Sequence, residues 1–143
     1  LKPDERRQLA RLEARFRKLP EAAKVEMMKA LEAGGRDLVD GARALAPVDS
    51  GALRNSIEMT PGGRATPPYS QPGGSSVVPE GTVQVTAGNT EVRYPHLVEY
   101  GTAKAPAQPF FWPAYRLAAK RIKARINRSV GKAVRDAAKG GST

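Results

Sequence analysis

The hydrophobic positions of this chain change period several times, and each change marks an element. From Asp4 to Lys18, Leu9, Leu12, Phe16 and Leu19 recur at spacings of three and four among charged residues, which predicts an amphipathic helix. Leu19-Pro20 ends that pattern, and Pro20 suits the first turn of a second helix reaching about Ala46. Val25, Met28, Leu31, Leu38, Ala42 and Leu45 keep its stripe. Gly34-Gly35 interrupts it at a cost of roughly 2 kcal/mol against alanine. A kink is the simpler expectation there, and close approach of another backbone is the alternative. Ala46-Pro47 closes the helix.

Beyond it, Leu53, Ile57 and Met59 predict a strand over about 54–60, after a short turn that Asp49 or Ser50 can cap. Residues 61–80 hold five Pro, four Gly and three Ser, and read as a long loop. Loops of that length are usually functional or disordered. Lying between two strands, this one can be a long hairpin extension, with solvated disorder and ordering on a partner as the two expectations for it. Thr82–Thr86 alternates with period two, Gly88-Asn89 supplies a turn, and Glu91–Tyr94 reads as the returning antiparallel strand. A last helix is expected from about Pro113 to Ala138. The sum is an α+β fold: N-terminal helices, a small antiparallel β-sheet with a long Gly/Pro-rich loop, and a long basic C-terminal helix. A chain of 143 residues is the size of one domain, so 1–143 is read as a single unit. Within it, 1–19 is an N-terminal helix, 61–80 an extended loop and 140–143 a flexible tail.

Tyr94–Tyr115 stands apart from this periodic pattern. It carries three of the four tyrosines, two of the three phenylalanines, the single Trp and four prolines. Prolines at that density exclude one regular element. The expectation is a turn of helix, a corner at Gly101, an extended arm, and then the terminal helix. Such an aromatic cluster either plugs the core or docks into a neighbour.

Charge sharpens the reading of that last helix. The net charge is +10, yet nine Lys/Arg and one acid between Arg116 and Lys139 put +8 there and leave +2 for all other residues. At 100° per residue, Tyr115, Ala119, Ile122, Ile126, Val130, Ala133 and Ala137 form a core-facing seam. Opposite them Arg121, Arg125, Arg128, Lys132, Arg135 and Lys139 form a stripe about 27 Å long at 1.5 Å per residue. A solvated charged face usually mixes both signs. This one does not, which points to a polyanion or an acidic neighbouring subunit, with plain solvation as the alternative.

Candidate chemistry is thin. There is no cysteine, and so no disulfide or thiolate site. His96 is the only histidine, and a packed or hydrogen-bonded role is expected for it. Glu99 has no second carboxylate nearby in sequence, and no phosphate-binding glycine loop is present. No enzyme activity, cofactor or metal is expected. No apolar run is long enough to span a membrane, and the charged N-terminus has no apolar signal core.

Two ordered stretches carry a resemblance. A-L-A-P-V-D-S-G-A-L-R-N-S-I (44–57) and V-E-Y-G-T-A-K-A-P-A-Q-P-F-F-W-P-A-Y (98–115) resemble the head–tail joining proteins of tailed bacteriophages, the small neck, tail-completion or minor tail components also found in prophages and gene transfer agents. The resemblance covers about residues 20–135, with the joining core over 20–139. Ser50 stands where the family often has Thr, and the terminal helix is more basic than the family pattern. The resemblance implies a virion structural protein, assembled in the bacterial cytoplasm into a homo-oligomeric ring, by analogy a hexamer. That ring would sit between head connector or stopper and tail terminator or tail tube, with double-stranded DNA passing non-specifically through its lumen. Asp49, Gly51, Glu99, Gly101 and Thr102 are then the structural corner. Gln108, Pro109, Phe110, Phe111 and Trp112 are the docking arm, and the six cations line the channel or meet an acidic partner. The rival expectation is a free-standing nucleic-acid-binding protein acting through its C-terminal helix.

Overall fold

A computed structural model describes residues 2–48 and 51–140. In chain order the elements are α1 (Pro3–Arg17), α2 (Glu21–Leu45), α3 (Ala52–Asn55), β1 (Glu58–Pro61), β2 (Val83–Thr86), α4 (Pro95–Tyr100) and α5 (Phe111–Gly140). The α+β class is as expected. Helices α2 and α5 lie antiparallel, Gly41 meeting Ala114 and Gly34 meeting Ile122, and the β1–β2 sheet packs on α2 beside them.

Gly34-Gly35 does not interrupt α2, which runs unbroken through both residues. A Cβ at Gly34 would lie 2.6 Å from Ile122 Cγ2, and one at Gly35 2.5 Å from Met59 Sδ. The pair therefore serves close packing on two sides, against side chains of α5 and of the sheet. The helix gives up propensity there so that two neighbours can approach its axis.

The small-residue contact also reorients α5. Among the residues of α5 whose burial is described, Ala114, Ala118 and Ala133 are buried, while Tyr115, expected in the seam, is 37% exposed. Ala114 and Ala118 lie outside the seam read at 100° per residue, while Ala133 lies within it as expected. Glycine and alanine let the two backbones close, and the bulkier Tyr115, Ile122 and Ile126 line an open groove beside the pair, with Ala119 among them.

The sheet corrects the expected hairpin. Residues 91–94 form no strand, and β2 pairs instead with β1, with Glu58 opposite Thr86 and Pro61 opposite Val83. Asn89 explains the difference: its Oδ1 accepts the Glu91 and Val92 amides, both at 3.0 Å, and its amide donates to Val92 O. That local turn uses the groups a second ladder would need, and buries Val92 in the core. The first strand also starts later than expected, at Glu58, because 52–55 is helical. Buried Ser56 ties that turn to the sheet, donating to Leu53 O at 2.6 Å and accepting the Gly88 amide at 3.0 Å.

Residues 61–80 continue the β1–β2 hairpin as a folded excursion. Gly63 and Val78 donate to Val78 O and Arg64 O, each at 2.8 Å, and Ala65 bridges Val77. The buried Thr66 hydroxyl takes the Ser76 amide at 2.9 Å, and Gln71 and Ala87 exchange backbone bonds. The Pro/Gly content sets tight turns, and side-chain and backbone bonds close them.

Val39, Ala42, Ala46, Leu53, Ile57, Ala87, Val92, Phe110 and Ala114 form the main core, where α2, α3, the sheet and the start of α5 converge. Near its C-terminal end helix α1 attaches through buried Phe16, which meets Gly81 and lies under Lys24 of α2, and through an Arg17–Glu80 ion pair at 3.2 Å. Leu12 stays half-exposed.

The Gly34 contact is directly testable. Gly34→Ala is expected to destabilise the protein by about 1–3 kcal/mol in urea unfolding, the cost of overpacking, despite alanine's better helix propensity. In an Ile122→Ala background the same substitution should be neutral or favourable. Equal losses in both backgrounds would mean that Gly34 answers to something other than Ile122.

Candidate functional site

The expected corner and the expected arm form one hydrogen-bonded unit. Helix α4 begins with Pro95 at its first position and ends at Gly101, whose φ of 78° favours glycine. A Cβ there would also lie 2.7 Å from Ala107 N. Thr102 then closes a tight turn. Its hydroxyl accepts the Lys104 and Ala105 amides at 3.2 and 3.0 Å, and its own amide donates to Ala105 O. The chain reverses, and the Gln108 amide donates to Val98 O at 2.8 Å.

Glu99 makes the central connection. It is 7% exposed, and its Oε1 accepts the Phe110 and Phe111 amides at 3.1 and 2.8 Å, while Oε2 takes the Trp112 amide at 3.4 Å. These donors lie at and just before the first turn of α5, where backbone N–H groups have no partner within the helix. A carboxylate there satisfies them and also complements the positive end of the helix dipole. Tyr100 adds an outer bond, its hydroxyl accepting Trp112 Nε1–H at 2.9 Å. Val98, Glu99 and Tyr100 thus clamp 108–112, and the clamp fixes where the 30-residue α5 begins and which way it points.

The predicted arm residues separate on burial. Phe110 is 1% exposed and belongs to the subunit's own core; Phe111 is partly buried. Gln108, Pro109 and Trp112 are exposed, Trp112 to 38%. Phe111, Trp112 and Tyr115 stack edge to face in succession, with centroids 5.4 and 6.0 Å apart. Gly51 is the left-handed residue before α3, with φ 84°. Asp49 lies outside the described residues. His96 is exposed on α4, where packing or hydrogen bonding was expected. Among the described residues no three His, Cys, Asp or Glu side chains gather as a metal site would require.

The cation stripe is not uniform. Arg125 turns toward α2 and pairs with Asp37 at 2.8 Å, both partly buried. At that exposure the pair contributes about 1 kcal/mol or less, so its role is more to register α5 on α2 than to stabilise. Arg121, Arg128, Lys132, Arg135 and Lys139 remain exposed. Among the described residues the first four of these make no ion pair.

Spacing alone pointed to neither the Glu99 cap nor the Asp37–Arg125 pair, which join residues 11 to 13 and 88 positions apart. The only sequence signal for the cap is negative: α5 opens on Gln-Pro-Phe-Phe, with no Ser, Thr, Asp or Asn to cap it from within.

Removing the cap should show in two ways. Glu99→Gln keeps one acceptor oxygen but loses the charge, and is expected to cost about 1–2 kcal/mol; Glu99→Ala should cost about 3 kcal/mol. Amide hydrogen exchange at Phe110 and Phe111 should accelerate more than exchange within α2. Uniform acceleration throughout the chain would show that Glu99 acts on global stability alone.

No helix of the described residues is long and apolar enough to cross a membrane. No curated protein and no solved structure gives a significant match to the chain. Residues 10–101 match the family described as "Bacteriophage HK97-gp10, putative tail-component". The match runs from α1 through the first motif and the β-hairpin to the Gly101 corner, and so covers most of the chain. The protein belongs to the HK97 gp10-like family of bacteriophage tail components.

Proposed function

We propose that this protein is a structural, non-catalytic head–tail connector of a tailed phage or phage-like particle such as a gene transfer agent. In this reading identical subunits, six by analogy with tail-joining rings, close around the DNA channel at the neck. The ring bridges a head connector or stopper and a tail terminator or tail tube.

Family membership supports the phage assembly. The observation that carries the channel reading is the exposed face of α5, where Arg121, Arg128, Lys132 and Arg135 stand without acidic partners. A rigid helix with eight more basic than acidic residues between Arg116 and Lys139 suits a surface that DNA slides along. Its contacts to phosphate are sequence-independent and weaken with salt. Tight binding would hinder DNA exit, so spaced, solvated cations serve better than a base-reading site. The Glu99 clamp then acts as the positioning device, holding the cationic rod at a set angle to the subunit body.

The test is a triple charge reversal, Arg121→Glu/Arg128→Glu/Arg135→Glu. In assembled particles it should leave the subunit at the neck and reduce DNA packaging or delivery at least tenfold. The isolated wild-type chain should bind DNA only weakly, in the range of about 10⁻⁴–10⁻⁶ M at physiological salt. Tight binding by the lone chain, lost on charge reversal and absent from any particle, would favour a free-standing nucleic-acid-binding protein.

A further inference from the structure

Helix α4 separates two unpartnered apolar surfaces. Pro95, His96, Glu99 and Tyr100 lie on one side of it, around a cleft that includes Phe111 and Trp112. Tyr94, Leu97 and Val98 lie on the other, around a cleft that includes Ala105, Pro106 and Gln108. At 100° per residue these two sets fall on opposite faces of the helix.

The first side is aromatic and concave. Phe111, Trp112 and Pro72 continue it into an open groove of about 330 Å³ beside α5, lined by Tyr115, Ile122 and β2. Aromatic side chains carry about 150–250 Å² each. The exposed parts of Tyr100 (69%), Trp112 (38%) and Tyr115 (37%) therefore present roughly 300 Å².

The second side is proline-framed. Residues 102–109 are exposed throughout and read T-A-K-A-P-A-Q-P. Pro106 and Pro109 restrict the segment to extended backbone, and Gln108 pins it to Val98. Tyr94 and Leu97 stand exposed on the same flank.

We infer that these surfaces are the two halves of one self-contact: the Pro106–Pro109 arm of one copy seats on the Tyr100–Trp112–Tyr115 surface of the next. Extended proline segments recognise aromatic grooves because their backbone is already ordered, so little entropy is lost on docking. A standard interface takes about 800 Å² from each partner. The aromatic patch supplies over a third of that, and the facing surface would come from the exposed 102–109 arm and its neighbours. Because the halves lie on opposite faces, the contact is head-to-tail, the kind that closes rings instead of stopping at a two-fold dimer. This inference rests on the ring reading above and names its lateral contact.

The chain has no cysteine, so single thiols can be placed cleanly. One preparation carries Ala105→Cys, a second carries Tyr115→Cys, and both are treated with a short bismaleimide at a concentration where sedimentation velocity shows wild-type assembly. The mixture should give a covalent heterodimer at least tenfold more abundant than any dimer in either preparation alone. Adding Pro106→Glu to the first variant should abolish it. Efficient self-cross-linking of the Ala105→Cys chain would mean a two-fold contact and overturn the inference. So would wild-type assembly without a mixed cross-link, an outcome that leaves the ring reading intact. A wild-type chain that stays monomeric and never cross-links would remove both. Cross-linking of Tyr115→Cys only to other proteins in purified particles would assign the groove to a different partner.

Discussion

A buried carboxylate at the start of a 30-residue helix is the constraint on which this structure turns. Glu99 sits at the end of a six-residue helix and satisfies the amides of Phe110, Phe111 and Trp112, while Val98 and Tyr100 hold the flanking positions. A short helix has little stability of its own, and α4 ends in a left-handed glycine. Pinning α5 to it makes both elements depend on one network. The bonds are to a charged acceptor in a mostly dry site, where each is stronger than in water and more costly to lose.

The clamp sets the origin of α5, and the α2 contact sets its course. Small residues on both helices allow close approach, and the Asp37–Arg125 pair marks the register. Close packing of Gly and Ala leaves larger apolar side chains at the margin, where they form a groove instead of a core. The groove proposed as a docking surface is thus a by-product of how the helix pair is built. Pairing with Asp37 takes Arg125 out of the cationic face and leaves the other cations on it.

Much of the element plan was legible from periodicity. The long helices, the early break at Pro20, the corner at Gly101 and the α+β class all follow from local spacing and from Pro and Gly positions. Strand pairing was not. Val83–Thr86 looks equally ready to pair with a segment on either side, and a single side chain, Asn89, decides against the nearer one. The 61–80 segment was legible as a hairpin extension, but its internal order was not. Its composition resembles a structureless linker, yet buried Thr66 and Val78 and a ladder of backbone bonds fold it onto the hairpin.

For the candidate site, the residue types were readable and their relations were not. Phe110 and Trp112 belong to one aromatic run, but one fills the core and the other meets solvent, because only three-dimensional packing distinguishes neighbouring positions at a helix start. By itself the sequence determined the family motifs, the concentration of positive charge in the last helix and the proline-framed arm, since these depend on residue identity and local backbone preference. Tertiary structure alone decided that Glu99 caps α5, that Gly34 yields to Ile122 and that Arg125 turns inward. Each of these joins residues distant in the chain, and such contacts form only when the whole fold brings the two surfaces together.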